Sequence, residues 1–158
     1  MDVTSTASTQ SIVKKLTADY PTLTFREAEN FLWLPSDATI EYKATGDPVY
    51  LLHEVGHALL KHDTYKRDIE LLAIERSAWS YARDQLAELY ATPISEQIIE
   101  DALDSYREWL HARSTCPACG LNGVQTGKYA YRCVSCNAAW TVNEAKGCQL
   151  RRHNISKQ

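Results

Sequence analysis

Two short clusters of side chains in this chain could carry chemistry. The first is His53-Glu54-Val55-Gly56-His57, an HExxH pattern. On a helix, histidines at i and i+4 project from one face, one turn apart, so both imidazoles can reach a single ion. Glu54 is rotated off that axis, where a carboxylate can take a proton from water at the metal without binding the metal itself. Leu51, Leu52, Val55, Ala58, Leu59 and Leu60 surround the pattern, as a buried active-site helix requires. The second cluster is Cys116-Pro117-Ala118-Cys119 and Cys133-Val134-Ser135-Cys136, two C-x-x-C knuckles with thirteen residues between Cys119 and Cys133. Four thiolates so spaced suit one tetrahedral Zn²⁺ with no open position, a structural site. An iron site or a redox pair is the alternative. Gly120 lets the backbone turn back after the first knuckle, and the pattern is that of a zinc ribbon. Cys148 is left over, as a buried thiol or an inhibitory ligand to a catalytic zinc.

Catalytic zinc takes three protein ligands and keeps one position for water, so a third ligand must follow His57. His62 lies five residues on, about 140° around the helix, and faces elsewhere while that helix continues. It reads as a helix C-terminal residue interacting with the dipole. Glu75 is the better candidate. Leu71, Glu75, Ala78 and Ala82 share one face of the next helix, and the two alanines let that helix approach closely. Glu70 points away from Glu75, so one of the two can serve and Glu75 is favoured. The competing reading of Glu75 is a solvated carboxylate paired with Arg76 or Lys66.

The elements that position these residues can be read from periodicity. A polar tail runs through Thr9, and Ile12, Val13 and Leu16 make a short helix that Pro21 ends. Phe31, Trp33, Ile40 and Tyr42 alternate around Pro35-Ser36-Asp37, which predicts two strands and a turn. Asp47 and Pro48 start a helix that runs to about His62. A second runs from about Asp68 to Tyr90, and Ser95 caps a third through Leu110. After the knuckles, Tyr129, Tyr131 and Cys133 alternate, as do Trp140 and Val142, predicting short strands. The expected fold class is therefore α+β. A mainly helical, zincin-like domain with a small β-hairpin spans 10–113, and a small β zinc ribbon spans 114–158.

Charge divides at the same boundary. Residues 1–115 hold 11 Lys+Arg against 19 Asp+Glu, a net −8, whereas 116–158 hold six Lys+Arg against Glu144 alone, a net +5. The average of −3 over 158 residues hides this opposition. The basic part, with Tyr129, Tyr131, Arg151, Arg152 and His153, could contact nucleic acid or dock on an acidic protein surface. A hydrophobic content of 44 % and a charged content of 23 % exclude wholesale disorder. No apolar run approaches the roughly 20 residues of a membrane helix. No signal peptide is visible, and five cysteines, an odd number, argue against a pure disulfide framework. A cytoplasmic protein without membrane contact is expected.

The stretch His53-Glu54-Val55-Gly56-His57-Ala58-Leu59-Leu60-Lys61-His62, followed by Glu75-Arg76-Ser77-Ala78, resembles the ImmA/IrrE family of short gluzincin metallopeptidases. The resemblance covers about Phe31 to Leu89. In that family a glutamate in an E-x-x-A pattern on the helix after HExxH is the third zinc ligand. It thus implies His53, His57 and Glu75 as ligands, Glu54 as general base, and cleavage of a regulatory protein as the activity. Members commonly read E-x-E-A-N, where this chain has Glu75-Arg76-Ser77-Ala78-Trp79.

The leading expectation is a zinc metalloendopeptidase acting on a protein or peptide substrate, with one catalytic and one structural zinc. Tyr42, Tyr65 and Tyr81 are available to stabilise an oxyanion, and the hairpin could hold an extended peptide along its edge. Two alternatives stand beside it. One is a SprT-like DNA-associated protease, which needs a third histidine where only His62 and His111 follow. The other is an inactive zincin-like module that binds nucleic acid or protein through the ribbon.

Overall fold

The computed structural model describes residues 7–144 and the backbone of a strand at Arg152–Asn154. Cys148 and the side chains of Arg151, Arg152 and His153 lie outside the described residues. The fold is mixed α+β and divides into two compact units, Met1–Thr64 with Ile74–Ile99, and Tyr65–Ala73 with Glu100–Gln158. Among the described residues no helix is long and apolar enough to cross a membrane.

In the first unit, α1 (Thr9–Asp19) starts at Ser8, whose hydroxyl accepts the Ser11 N–H at 3.2 Å. Ile12 and Leu16 are buried, one helical turn apart. Thr9, expected in a polar tail, is buried as well, its hydroxyl donating to the Gly46 carbonyl at 2.7 Å. The expected hairpin is present as β2 (Leu32–Leu34) and β3 (Thr39–Tyr42), with Trp33 opposite Ile40. A short 3₁₀ turn at Pro35–Asp37 joins them. The sheet has a third strand that the alternation did not reveal. β1 (Thr24–Glu27) pairs parallel with β3, giving the order β1-β3-β2. Three of its four side chains are exposed, so backbone pairing rather than an apolar face places it.

The helix α2 (Pro48–Leu59) begins as its sequence requires, with the Asp47 carboxylate accepting the Val49 N–H at 3.0 Å and Pro48 in the first turn. It stops three residues short of the expected His62, because Lys61 turns into the left-handed region at φ 57°. The long helix expected to reach Tyr90 is α3 (Asp68–Tyr81), continued by a wide π turn over Ala82–Leu86, where the Ala87 N–H donates back to the Ala82 carbonyl at 2.8 Å. Leu71, Glu75, Ala78 and Ala82 are all buried, as their shared face demands. α2 and α3 meet backbone to backbone. A Cβ added at Gly56 would lie 2.6 Å from the Ala78 carbonyl oxygen, so only glycine permits this approach. Next, α4 (Glu96–Ser114) is capped by Ser95, whose hydroxyl accepts the Ile98 N–H at 3.2 Å.

The second unit carries an antiparallel sheet of β4 (Val124–Gly127), β5 (Ala130–Arg132), β6 (Ala139–Val142) and β7 (Arg152–Asn154), in that order. Its core is small: Cys116, Tyr131, Cys133, Trp140 and Val142, with Tyr131 stacked on Trp140 at 5.7 Å. The unit reaches beyond 114–158 for physical reasons. The fully buried Arg113 packs its guanidinium 4.5 Å from the Trp109 ring and donates to the Lys128 carbonyl at 3.0 Å. Asp68 accepts from the Tyr131 hydroxyl and from Gln125.

Candidate metal centre

Because α2 is helical across the HExxH pattern, His53 and His57 fall on one face. From Leu51 to Ala58 every residue is buried except Glu54, which is half-exposed. The Nε2 atoms of the two histidines lie 3.1 Å apart. Glu75 reaches them from α3, with Oε2 at 2.9 Å from His53 Nε2 and Oε1 at 3.3 Å from His57 Nε2. The structure thus brings together the three residues proposed as ligands. Glu70 is elsewhere: it is exposed, and its carboxylate accepts the backbone N–H groups of Lys66 and Arg67. Glu75 does not take up the solvated pairing with Arg76 or Lys66, since it is buried against the imidazoles. Burial opposes its ionisation, but hydrogen bonds from His53 and His57 override this and hold it well below the usual carboxylate range.

The donor set fits a metal ion. Bonds of 2.0–2.1 Å to nitrogen or oxygen in a tetrahedron place neighbouring donors about 3.3 Å apart, and the three contacts here run from 2.9 to 3.3 Å. Two imidazole nitrogens and a carboxylate facing one another in a buried site form a group that could hold one ion.

His62 takes a part that a longer helix would have denied it. With α2 ended and Lys61 left-handed, the His62 ring returns to His57, Nδ1 to Nδ1 at 2.9 Å. For His57 to offer its Nε2 lone pair to an ion, its proton must sit on Nδ1 and be donated to His62. The His62 proton is then on Nε2, 3.3 Å from the Ser77 hydroxyl, which in turn donates to the Ile74 carbonyl at 2.9 Å. Burial and the neighbouring His57 lower the His62 pKa, favouring the neutral acceptor that this chain of bonds needs. His62 supports the His57 ring, rather than acting as a dipole partner or joining the clustered donors itself. Replacing it by leucine is expected to weaken metal binding at His53, His57 and Glu75 by about 10- to 100-fold. His62→Asn, which keeps an acceptor, should lose less. Competition titration with a chelating indicator checks both.

Two tryptophans complete the surroundings. The Trp33 N–H, on the edge strand β2, donates to Glu54 Oε2 at 2.8 Å, while its indole N–H donates to the His62 carbonyl at 2.8 Å. One residue therefore anchors both the candidate base and the turn after α2. Trp79 stacks on the His53 ring at 4.2 Å between centroids, and His53 Nδ1 is buried with no hydrogen-bond partner among the described residues. On its Nδ1 side, ring stacking stands in place of a hydrogen bond in orienting this imidazole. Neither tryptophan could be singled out from spacing. Trp33 is one residue in an alternating strand, and Trp79 reads as core. Tyr42 and Tyr81 make no hydrogen bond to the three clustered residues among the described residues. Tyr65 belongs to the second unit.

In the second unit the four knuckle cysteines converge, with Cys116 Sγ 3.6 Å from Cys136 Sγ and Cys119 Sγ 3.5 Å from Cys133 Sγ. These distances exclude disulfides, whose sulfurs lie about 2.05 Å apart. They approach the roughly 3.8 Å edge of a tetrahedron with 2.3 Å metal–sulfur bonds. The Cys136 backbone N–H, followed by that of Ser135, favours the Cys133 thiolate and brings its pKa down to about 6. The sites are compatible with metal binding. No family model, curated protein or solved structure matches the chain.

Proposed function

We propose that the chain is a zinc-dependent metallopeptidase of the ImmA/IrrE type. His53, His57 and Glu75 hold the catalytic ion, and Cys116, Cys119, Cys133 and Cys136 hold a structural zinc in a ribbon. The observation that carries this reading is the convergence of two imidazole nitrogens and a buried carboxylate beside Glu54, the one accessible residue of that helical stretch. Zinc supplies Lewis acidity, which polarises a scissile carbonyl and acidifies water. Glu54 takes the proton from the attacking water and passes it to the leaving amine. The Trp33 N–H fixes Glu54 Oε2 and leaves Oε1 for that transfer. The edge strand β2 offers an extended substrate peptide a backbone to pair with. The substrate is a protein or peptide, in keeping with the regulatory proteins that the resemblance implies. Four free cysteines in the described chain fit a reducing compartment, so the cytoplasm is the proposed location.

Metal content tests the assignment. Purified protein should carry two zinc ions per chain, falling to one in His53→Ala, as measured by plasma mass spectrometry. One zinc in the unsubstituted protein would remove the catalytic centre and leave a zincin-like binding module.

A further inference from the structure

Between Val49 and Ala58 the helix α2 is buried except at two positions, Tyr50 and Glu54. They stand four residues apart, so they share one face, about 6 Å from each other along the axis. His53 and His57 follow Tyr50 at i+3 and i+7 and lie on that same face. The accessible stripe of this helix thus consists of the proposed base and one aromatic residue, Tyr50, which is 43 % exposed. Tyr50 is tied to the metal centre through a row of rings. It meets Trp79 edge-on at 5.8 Å, and Trp79 is stacked in turn on His53 at 4.2 Å. A third aromatic ring, that of the half-buried Phe31, lies 6.0 Å from Tyr50.

Phe31 precedes the edge strand β2, and its placement gives the register of strand against helix. Phe31 meets Tyr50, and two residues on, the Trp33 N–H meets Glu54. Two extended residues advance about 6.6 Å and four helical residues about 6 Å, so β2 runs alongside α2 in the same direction. A peptide extended along the free edge of β2, with its scissile bond at Glu54, therefore passes Tyr50 within about two residues. What it meets there is aromatic surface, since Phe31, Tyr50 and Trp79 bring no charged group. An apolar side chain laid on these rings gains by leaving water, whereas a carboxylate would lose its hydration with nothing in return. We infer that Tyr50, backed by Phe31 and Trp79, is the floor of a subsite that selects a large apolar side chain within two residues of the scissile bond. The inference rests on the hydrolytic reading and adds a substrate class to it.

The test uses the full-length, zinc-loaded chain. Cleavage sites in an unfolded protein are mapped by mass spectrometry. Quenched fluorescent peptides built on the best-cut site then carry Phe, Leu, Lys or Ser at each position within two residues of the cleaved bond. At one of these positions Phe and Leu should be favoured over Lys and Ser by about 10- to 100-fold in kcat/KM. Tyr50→Ser should erase most of that preference, chiefly by raising KM for the apolar peptides, and Tyr50→Phe should keep it. Leu89→Ser, at an exposed apolar residue of the same unit outside this row, should leave it unchanged. Binding of the fluorescein-labelled Phe peptide to zinc-loaded Glu54→Gln protein, read by anisotropy, should weaken about tenfold or more when Tyr50→Ser is added. Binding of the Ser peptide should not change. The subsite is overturned by the absence of an apolar preference, by a preference for Lys, or by a preference that survives Tyr50→Ser. An equal loss on every peptide in that variant also overturns it, and in all these cases Glu54-dependent cleavage still upholds the hydrolytic reading. No cleavage, or cleavage undiminished by Glu54→Gln, removes that reading and the subsite with it. Circular dichroism and zinc content of each variant establish that fold and metal are retained.

Discussion

Replacement of Glu54 by glutamine is expected to lower peptide hydrolysis by about 10²- to 10⁴-fold while leaving metal content unchanged, since a positioned acid–base group contributes that much. The two halves of this expectation rest on different observations. Glu54 stands outside the group of donor atoms formed by His53, His57 and Glu75, so the ligand set survives the change. It is half-exposed on an otherwise buried stretch of α2, where a substrate and water can reach it. Glutamine has the same shape, and its amide oxygen can still accept the Trp33 N–H that now holds Oε2 at 2.8 Å. Position is thereby preserved while the proton acceptor is lost. Initial rates on an unfolded protein substrate, measured beside zinc content, check this. Equal rates in both proteins would exclude Glu54 as the base.

Removal of one knuckle ligand is expected to have a larger effect on structure than any other single change in the second unit. Cys133→Ser should unfold its sheet, and a strong chelator should do the same to the unsubstituted protein. Cys133 is only 1 % exposed and belongs to a core of five residues. So small a core cannot offset the entropy of ordering its strands unaided. Structural zinc bound to peptides of this size contributes on the order of 10–16 kcal/mol, so metal binding and folding become one event. The stacked Tyr131 and Trp140 rings provide the reading, because their near-ultraviolet dichroism depends on fixed packing. That signal should vanish with Cys133→Ser and return on adding zinc back to chelated protein. A retained signal in the variant would show that the apolar core holds the sheet by itself.

The legible parts of this chain were those that a repeat fixes. Asp47 and Pro48 set the phase of α2, and from that phase the common face of His53 and His57 follows. Glu75 could be preferred to Glu70 because Ala78 and Ala82 share its face. The four cysteines declare themselves by spacing alone. What escaped the sequence is set by single backbone conformations or by distant partners. Lys61 at φ 57° ends α2 without a glycine to announce it, so spacing alone puts His62 on a helix that has already stopped. β1 has three exposed side chains and owes its place to β3, which lies further along the chain. The π turn at Ala82–Leu86 sits in a segment whose side chains read as helix. The buried Arg113 among aromatic rings gives no pattern, yet it is why 65–73 and the end of α4 belong with the cysteines.

The backbone contact between Gly56 and the Ala78 carbonyl has a kinetic meaning. It fixes the register of two helices without any side chain that could swing aside, so on the proposed reading the His-His-Glu donors are assembled before an ion arrives. Loading there costs little conformational entropy and is governed by access and by dehydration of the ion. On the proposed reading the four cysteines belong to the opposite regime, in which an ion arrives while the sheet around them is still forming. One chain thus has one vessel cast in advance and another that sets around its contents.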